Sequence, residues 1–129
     1  MTGIDAFAHQ KYLNLETFRR SGEGVQTPVW FAQEGELLYV LTLARSGKVK
    51  RVRRNGTVNV APCRMDGRLV GTWTPAQARE KGDPEVKQKV NRMLDRKYGL
   101  MRRLFTMRRA DRAGEATILE IQLVKPADG

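Results

Sequence analysis

The chain has 129 residues and a formal net charge of +10, which fits one domain with an anionic partner: nucleic acid, an acidic lipid surface or a small ligand bearing phosphates or carboxylates. Its single cysteine and single histidine exclude an internal disulfide and argue against a metal site. No apolar run is long enough for a signal sequence or a membrane span, so we expect one cytoplasmic domain over residues 1–129.

The N-terminal part is predicted to form a short helix and a β-hairpin. Residues 5–11 are expected to make a lead-in helix, and from residue 12 apolar and polar side chains alternate as in a half-buried strand. A turn over residues 21–24 leads to a second strand at residues 25–33. Pro28 within that strand indicates a sheet edge or a bulge, because proline has no N–H group to donate to a ladder.

A basic helix follows the most apolar strand of the chain. Residues 37–43 are almost continuously apolar and predict a central strand covered on both faces. The stretch SGKVKRVRRNG then predicts a helix that begins at Ser46, whose side chain would cap the first turn, and ends at Asn55-Gly56. The positive end of the helix dipole lies beside Lys48, so the start of this helix is a candidate phosphate-binding site.

The strands after the basic helix are predicted from alternation and turn residues. Residues 57–64 alternate again, and Asp66-Gly67 is typical of a hairpin turn. We expect the returning strand at residues 68–81, broken or bulged at Pro75. Residues 117–124 predict a closing strand.

Between these strands the pattern indicates a helical excursion. Asp83-Pro84 is a helix start, and Gly99 is the expected end. A second helical piece is predicted at residues 100–108. The first helix carries one apolar stripe, formed by Val86, Val90, Met93, Leu94 and Tyr98.

Together these elements predict a mainly β fold. Six short strands joined by tight turns, with one inserted basic helix and one helical excursion, are typical of a small antiparallel barrel. Closing the sheet on itself removes exposed strand edges.

The region from residue 12 to residue 73 resembles a known fold family. It contains a TPVWF strand, a strand that ends near a threonine, an S-x-K sequence that opens a basic helix, and the segment RMDGRLVGTW. This combination is similar to the FMN-binding split β-barrel of the pyridoxamine 5'-phosphate oxidase-like superfamily. Within it, the chain most resembles the small coenzyme F420-dependent (deazaflavin) oxidoreductases. The resemblance implies a six-stranded antiparallel split β-barrel.

The resemblance also implies a cofactor site. Lys48 corresponds to the lysine that binds the cofactor phosphate, and Ser46 caps the helix that carries it. Lys50, Arg51 and Arg54 are further candidates on that helix. The remaining implied contacts come from two strands: Gln26, Thr27, Pro28 and Val29 on one, Leu41 and Thr42 on the other.

Two positions depart from the pyridoxamine phosphate oxidases proper. Those enzymes have an arginine next to the phosphate lysine, where this chain has Gly47, and an arginine opening the second strand, where it has Gln26. The C-terminal substrate-binding segment of those oxidases has no counterpart here. The departures argue against vitamin B6 oxidation and favour the deazaflavin branch.

The implied function is transfer of a hydride between coenzyme F420 and a small conjugated organic substrate, in a homodimer with the cofactor at the interface. An FMN-binding oxidoreductase is the alternative, and a non-catalytic barrel that binds a cofactor or nucleic acid is another. The charges lie mainly on helices and the aromatic residues on apolar strands, which disfavours nucleic acid. No side chain stands out as catalytic, as expected where the cofactor carries the chemistry.

Overall fold

The computed structural model describes residues 3–99 and 115–124, and in this part of the chain seven strands form one antiparallel sheet. The strands are β1 (Tyr12–Phe18), β2 (Gly24–Val29), β3 (Ala32–Glu34), β4 (Leu37–Leu43), β5 (Thr57–Cys63), β6 (Thr74–Glu80) and β7 (Ala116–Leu123). Two α-helices, α1 (Gly47–Arg54) and α2 (Pro84–Tyr98), and a 3-10 helix at Gly3–Phe7 accompany them. Neither α-helix is long and apolar enough to cross a membrane.

The sheet curls until its two edges approach each other. The strand order is β2-β1-β5-β6-β7-β4-β3, so β2 and β3, which follow each other in the chain, lie at opposite edges. Val29 ends β2 and Ala32 begins β3. Three Cα–Cα steps span at most about 11 Å, which requires the edges to be close. The fold is therefore mainly β and is a split β-barrel, as predicted, although with seven strands rather than six.

Two apolar cores lie on the two faces of the curled sheet. Inside the curl, Leu38 and Val40 of β4 pack with Val49 and Val52 of α1. On the outer face, α2 covers β3, β4 and β7 with its predicted apolar stripe, in which Val90, Leu94 and Tyr98 are buried and Val86 and Met93 are half-buried. β4 therefore contributes to both cores, which confirms the prediction of a doubly covered strand.

The prediction of one continuous strand over residues 25–33 is wrong. The chain leaves β2 after Val29 and enters β3 at Ala32, and Phe31 between them does not join a ladder. Its N–H donates to the Tyr98 hydroxyl oxygen at 3.1 Å, and its carbonyl oxygen accepts from Lys97 Nζ at 2.9 Å. Because α2 takes up both backbone groups of Phe31, the ladder is interrupted there. Pro28 lies on the edge strand β2, as its missing N–H predicted.

The returning strand is also shorter than predicted. It begins at Thr74 rather than at residue 68, and Pro75 is its second residue. The Asp66-Gly67 turn is present, with Gly67 at a φ of 92° and the Asp66 carboxylate accepting from the Arg68 N–H. Beyond it, only Leu69 forms a bridge, to Cys63. Pro62 of β5 has no N–H to extend a ladder, which limits pairing in this region.

Apart from the lead-in helix, the remaining element predictions within the described residues agree with the structure within one or two residues. α1 ends at Arg54 with Asn55 as its C-cap, and α2 ends at Tyr98 with Gly99 as its C-cap, at a positive φ of 57°. The lead-in helix predicted over residues 5–11 is instead a short 3-10 helix at Gly3–Phe7, which ends at the buried Phe7. The predicted helical piece at residues 100–108 lies outside the described residues.

Candidate functional site

The turn between β4 and α1 brings Lys48 against Thr42. β4 ends at Leu43, and α1 begins four residues later at Gly47. Lys48 Nζ donates to Thr42 Oγ1 at 3.2 Å. Thr42 is buried and follows Leu38 and Val40 on the inner face of the sheet. Lys48 therefore bends back from the helix toward the end of the barrel interior.

The charge of Lys48 is costly to maintain in this position. Burial lowers the pKa of the Lys48 ammonium below its ordinary value, and the positive charge of Arg51 lowers it further. No described carboxylate forms an ion pair with either side chain. A half-buried cation without a counter-ion is stabilised by any anion that binds beside it.

Arg51 lies one turn further along α1, on the same side as Lys48. Its Nε donates to Thr17 Oγ1 of β1 at 2.6 Å. Burial lowers the pKa of the Arg51 guanidinium, and repulsion from Arg19 and Arg54 adds to this effect. The guanidinium remains charged, because arginine does not lose its proton in proteins.

Ser46 occupies the N-cap position, but its side chain does not cap the helix. Its backbone has the extended conformation of an N-cap, and its carbonyl oxygen accepts from the Lys50 N–H at 3.2 Å. The Oγ atom makes no capping bond and no hydrogen bond to any described group, although the atom is buried. The predicted cap is therefore wrong, because this hydroxyl does not reach the amides of the first turn.

We call Thr42, Ser46, Lys48 and Arg51 the anion site. Two cations, a buried hydroxyl without a described partner, and the first-turn N–H groups of α1 lie together there. These groups are donors or positive charges, which is the chemistry that a phosphate group requires. The residues present therefore fit a phosphate-bearing ligand.

The other charges predicted on α1 lie at the margin or outside the anion site. Lys50 and Arg54 are exposed, and Arg54 donates to the Phe18 carbonyl oxygen at 2.7 Å. Arg53 points elsewhere and forms an ion pair with Glu80 at 2.7 Å. The basic residues of α1 therefore have three different environments: the anion site, the solvent and an ion pair with Glu80.

The strand residues implied by the resemblance are on both faces of the sheet. Leu41 is buried against α2, on the opposite face from Thr42. Gln26 and Pro28 of β2 are exposed on the outer face, whereas Thr27 and Val29 are half-buried and point inward. β2 is an edge strand next to β1. The Arg51 partner Thr17 pairs with Val25, so the anion site reaches the strand adjacent to this edge.

Sequence reasoning missed Thr17. It is the one polar member of the inner-face series Leu13, Leu15 and Thr17, and it is only 1% exposed. A buried hydroxyl at the end of an otherwise apolar strand face was the available signal. The residues described also include no cluster of three or more His, Cys, Asp or Glu side chains that could hold a metal ion.

No protein-family model matches the sequence, and no curated protein matches it. Solved structures share the fold at low identity. An F420 reductase is 17% identical with a TM-score of 0.67, covering 97% of this chain and 95% of that protein. A proposed pyridoxamine 5'-phosphate oxidase from Listeria innocua is 14% identical with a TM-score of 0.71, covering 95% and 90%.

A third similar structure is HutZ, the heme storage protein from Vibrio cholerae. It is 15% identical with a TM-score of 0.72, and the match covers 95% of this chain and 87% of HutZ. The chain therefore has the split β-barrel fold of the pyridoxamine 5'-phosphate oxidase-like proteins. Proteins with this fold have different functions, so the function must be argued from the site.

Proposed function

We propose that this protein is an oxidoreductase that binds coenzyme F420 through the anion site and transfers a hydride between the deazaflavin and a small conjugated organic substrate. The observation that carries the proposal is the pairing of Lys48 with Thr42 at 3.2 Å, in a site with a second cation and no described carboxylate partner. Such an arrangement is costly to the empty protein and favourable once a phosphate is bound.

The cofactor would supply the hydride chemistry, and the protein would bind it, orient it and exclude water. Lys48 and Arg51 would hold the phosphate, and Ser46 Oγ would give the phosphate an additional hydrogen bond. The edge strand β2, with Gln26, Thr27, Pro28 and Val29, would lie beside the ring system. One side of β2 pairs with β1 and no described strand pairs with the other side, where backbone groups could contact a ligand.

The F420 reductase of the same fold supports the deazaflavin. FMN is the second candidate, since it also presents a ribityl phosphate that Lys48 and Arg51 could bind. The net charge of +10 favours the more anionic of the two cofactors, which is F420 with its glutamate tail.

A homodimer that completes the cofactor site belongs to the same proposal. Large apolar side chains are exposed on the loop between β5 and β6: Met65 at 71%, Val70 at 47% and Leu69 at 37%. Large apolar side chains exposed on one loop are consistent with an interaction site, and a second copy of the chain is the proposed partner. Light scattering of the purified protein tests this, and a strict monomer with and without cofactor would contradict it.

The function is tested by titrating the protein separately with F420 and FMN while following tryptophan fluorescence, since Trp30 and Trp73 are both half-buried. Saturable F420 binding with weaker FMN binding is the expected result, and it would justify assays of conjugated substrates with reduced F420. Tighter binding of FMN than of F420 would instead support the alternative of an FMN-binding oxidoreductase. Binding of neither would contradict the proposal, and a nucleic-acid binding assay would then be the next test.

A further inference from the structure

Two residues that hold no charge, Thr17 and Gly47, border the Arg51 guanidinium. Thr17 Oγ1 accepts from Arg51 Nε at 2.6 Å. A Cβ atom added to Gly47 would lie only 2.7 Å from Arg51 Nη1. The guanidinium therefore occupies the space that any side chain at position 47 would need.

The position of Arg51 follows from the geometry of a helix. Gly47 and Arg51 are four residues apart on α1, so they lie one above the other on the same face. Helical side chains also lean toward the helix N-terminus. Because Gly47 has no side chain, Arg51 can fold back over the first turn of α1, where Ser46 and Lys48 lie.

Thr17 fixes which nitrogen atoms of Arg51 remain available. The hydroxyl engages Nε, which leaves the terminal Nη1 and Nη2 groups of the guanidinium for another acceptor. Two terminal N–H groups in a fixed plane can bind two oxygen atoms of one phosphate. Thr17 is 1% exposed on a sheet strand, so its hydroxyl is held rigidly.

The arrangement has an electrostatic cost in the protein without a ligand. Arg51 lowers the pKa of Lys48, and its own pKa is lowered by burial and by its arginine neighbours. An anion bound beside Lys48 and Arg51 would offset this cost.

We infer that Arg51 is the second phosphate-binding cation of the anion site, and that Thr17 and Gly47 are positioning residues that aim its terminal nitrogens at the ligand. The inference rests on the proposed function, in which the anion site holds a cofactor phosphate. It adds that the site binds the phosphate through Lys48 and through both terminal nitrogens of Arg51.

The experiment uses inorganic phosphate as the probe and NMR of the arginine Nε–H and lysine Nζ signals as the readout. Phosphate is expected to shift the Arg51 and Lys48 signals of the wild-type protein with one common dissociation constant. Thr17→Val keeps the shape of the side chain and removes the acceptor, so it should weaken phosphate binding about fivefold or more. Thr17→Ser restores a hydroxyl and should recover most of the affinity.

Gly47→Ala is the second variant, and it keeps the inference testable if Thr17→Val does not fold. The added methyl group meets only the end of a flexible side chain, so the helix should form normally while Arg51 is displaced. Phosphate binding should weaken without a fall in the melting temperature. In an Arg51→Gln background, neither Thr17→Val nor Gly47→Ala should weaken binding further, because both act through Arg51.

The outcomes separate this inference from the proposed function. If phosphate or F420 shifts Lys48 but not Arg51, the inference is wrong and the cofactor proposal remains. A second outcome is that phosphate shifts the Arg51 NMR signal and both Thr17→Val and Gly47→Ala weaken phosphate binding, but neither F420 nor FMN binds. The cofactor proposal then fails, and the assignment of Arg51 stands. If phosphate shifts neither signal, or Thr17→Val still weakens binding in the Arg51→Gln background, the inference is overturned.

Discussion

The Tyr98 hydroxyl forms a hydrogen bond with the backbone of Phe31, 67 positions earlier in the chain. It accepts from the Phe31 N–H at 3.1 Å and donates to the Lys11 carbonyl oxygen at 2.7 Å. These hydrogen bonds connect the last residue of α2 to Phe31, in the segment where the chain crosses from β2 at one sheet edge to β3 at the other. The Trp30 ring stacks on Tyr98 at a centroid distance of 4.2 Å and covers the same point.

Tyr98→Phe should therefore destabilise the fold without changing its shape. The substitution leaves a buried N–H and a carbonyl oxygen without their partner, which costs about 1–3 kcal/mol. Chemical denaturation of the variant and the wild-type protein measures the difference. Tyr39→Phe is the control, since its partner Glu120 keeps an ion pair with Arg79 at 2.8 Å. An equal loss in the two variants would contradict the special role of Tyr98.

Val60 tests which side chains of β5 point into the interior of the curled sheet. Its side chain is fully buried inside the curl, between β1 and β6. Val60→Asp would bury an unpaired carboxylate at a cost of more than about 4 kcal/mol, a large fraction of the stability of a small domain. We expect an unfolded or insoluble protein by circular dichroism and expression. Thr57→Asp, on an exposed position of the same strand, should remain folded.

The sequence was sufficient for features that depend on neighbouring residues. α1 and its C-cap at Asn55 follow from a short segment. Lys48 and Thr42, which the resemblance assigned to one cofactor site, are only six positions apart and are in contact. The burial of Val49 and Val52 follows from their spacing on the helix.

Features that depend on distant pairing could not be predicted in the same way. The strand break at Phe31 depends on Tyr98 of α2, and the orientation of Arg51 depends on Thr17, 34 residues away. Both require knowing that α1 and α2 pack on particular strands. The cap predicted at Ser46 was wrong as well: the residue occupies the N-cap position, but its side chain makes no capping hydrogen bond.

The ion pair between Arg53 and Glu80 gives a pH-dependent contribution to stability. Two hydrogen bonds from the Arg53 guanidinium hold the pKa of the Glu80 carboxyl below its ordinary value of 4.5. Partial burial raises this pKa, and a hydrogen bond from Thr117 lowers it further. A carboxyl whose pKa is lower in the folded state stabilises the protein above its unfolded pKa. That contribution is lost as the pH falls through the lowered folded value.

Glu80→Gln should therefore lower the melting temperature by a few degrees at neutral pH. The gap between the variant and the wild-type protein should narrow as the pH falls below 4.5 and close only below the lowered folded pKa of Glu80, where both side chains are neutral. Glu115→Gln is a matched control, because its ion pair with Arg45 is long, at 3.8 Å, and exposed. A gap that persists unchanged at acid pH would show that the charge of Glu80 is not responsible.

Lys48→Ala is the direct test of the anion site. The ammonium contributes no ion pair with a described carboxylate, and burial already lowers its pKa, so its removal should leave the melting temperature unchanged or slightly raised. A charge-assisted hydrogen bond to phosphate is worth about 1.5–3 kcal/mol, so the dissociation constant for F420 or FMN should rise at least about tenfold. Lys50→Ala removes a charge of the same sign from an exposed position of the same helix, and it should change the affinity much less. Equal losses in the two variants would indicate that α1 attracts anions only through its overall charge, whereas a loss confined to Lys48→Ala would identify the contact beside Thr42 as the binding site.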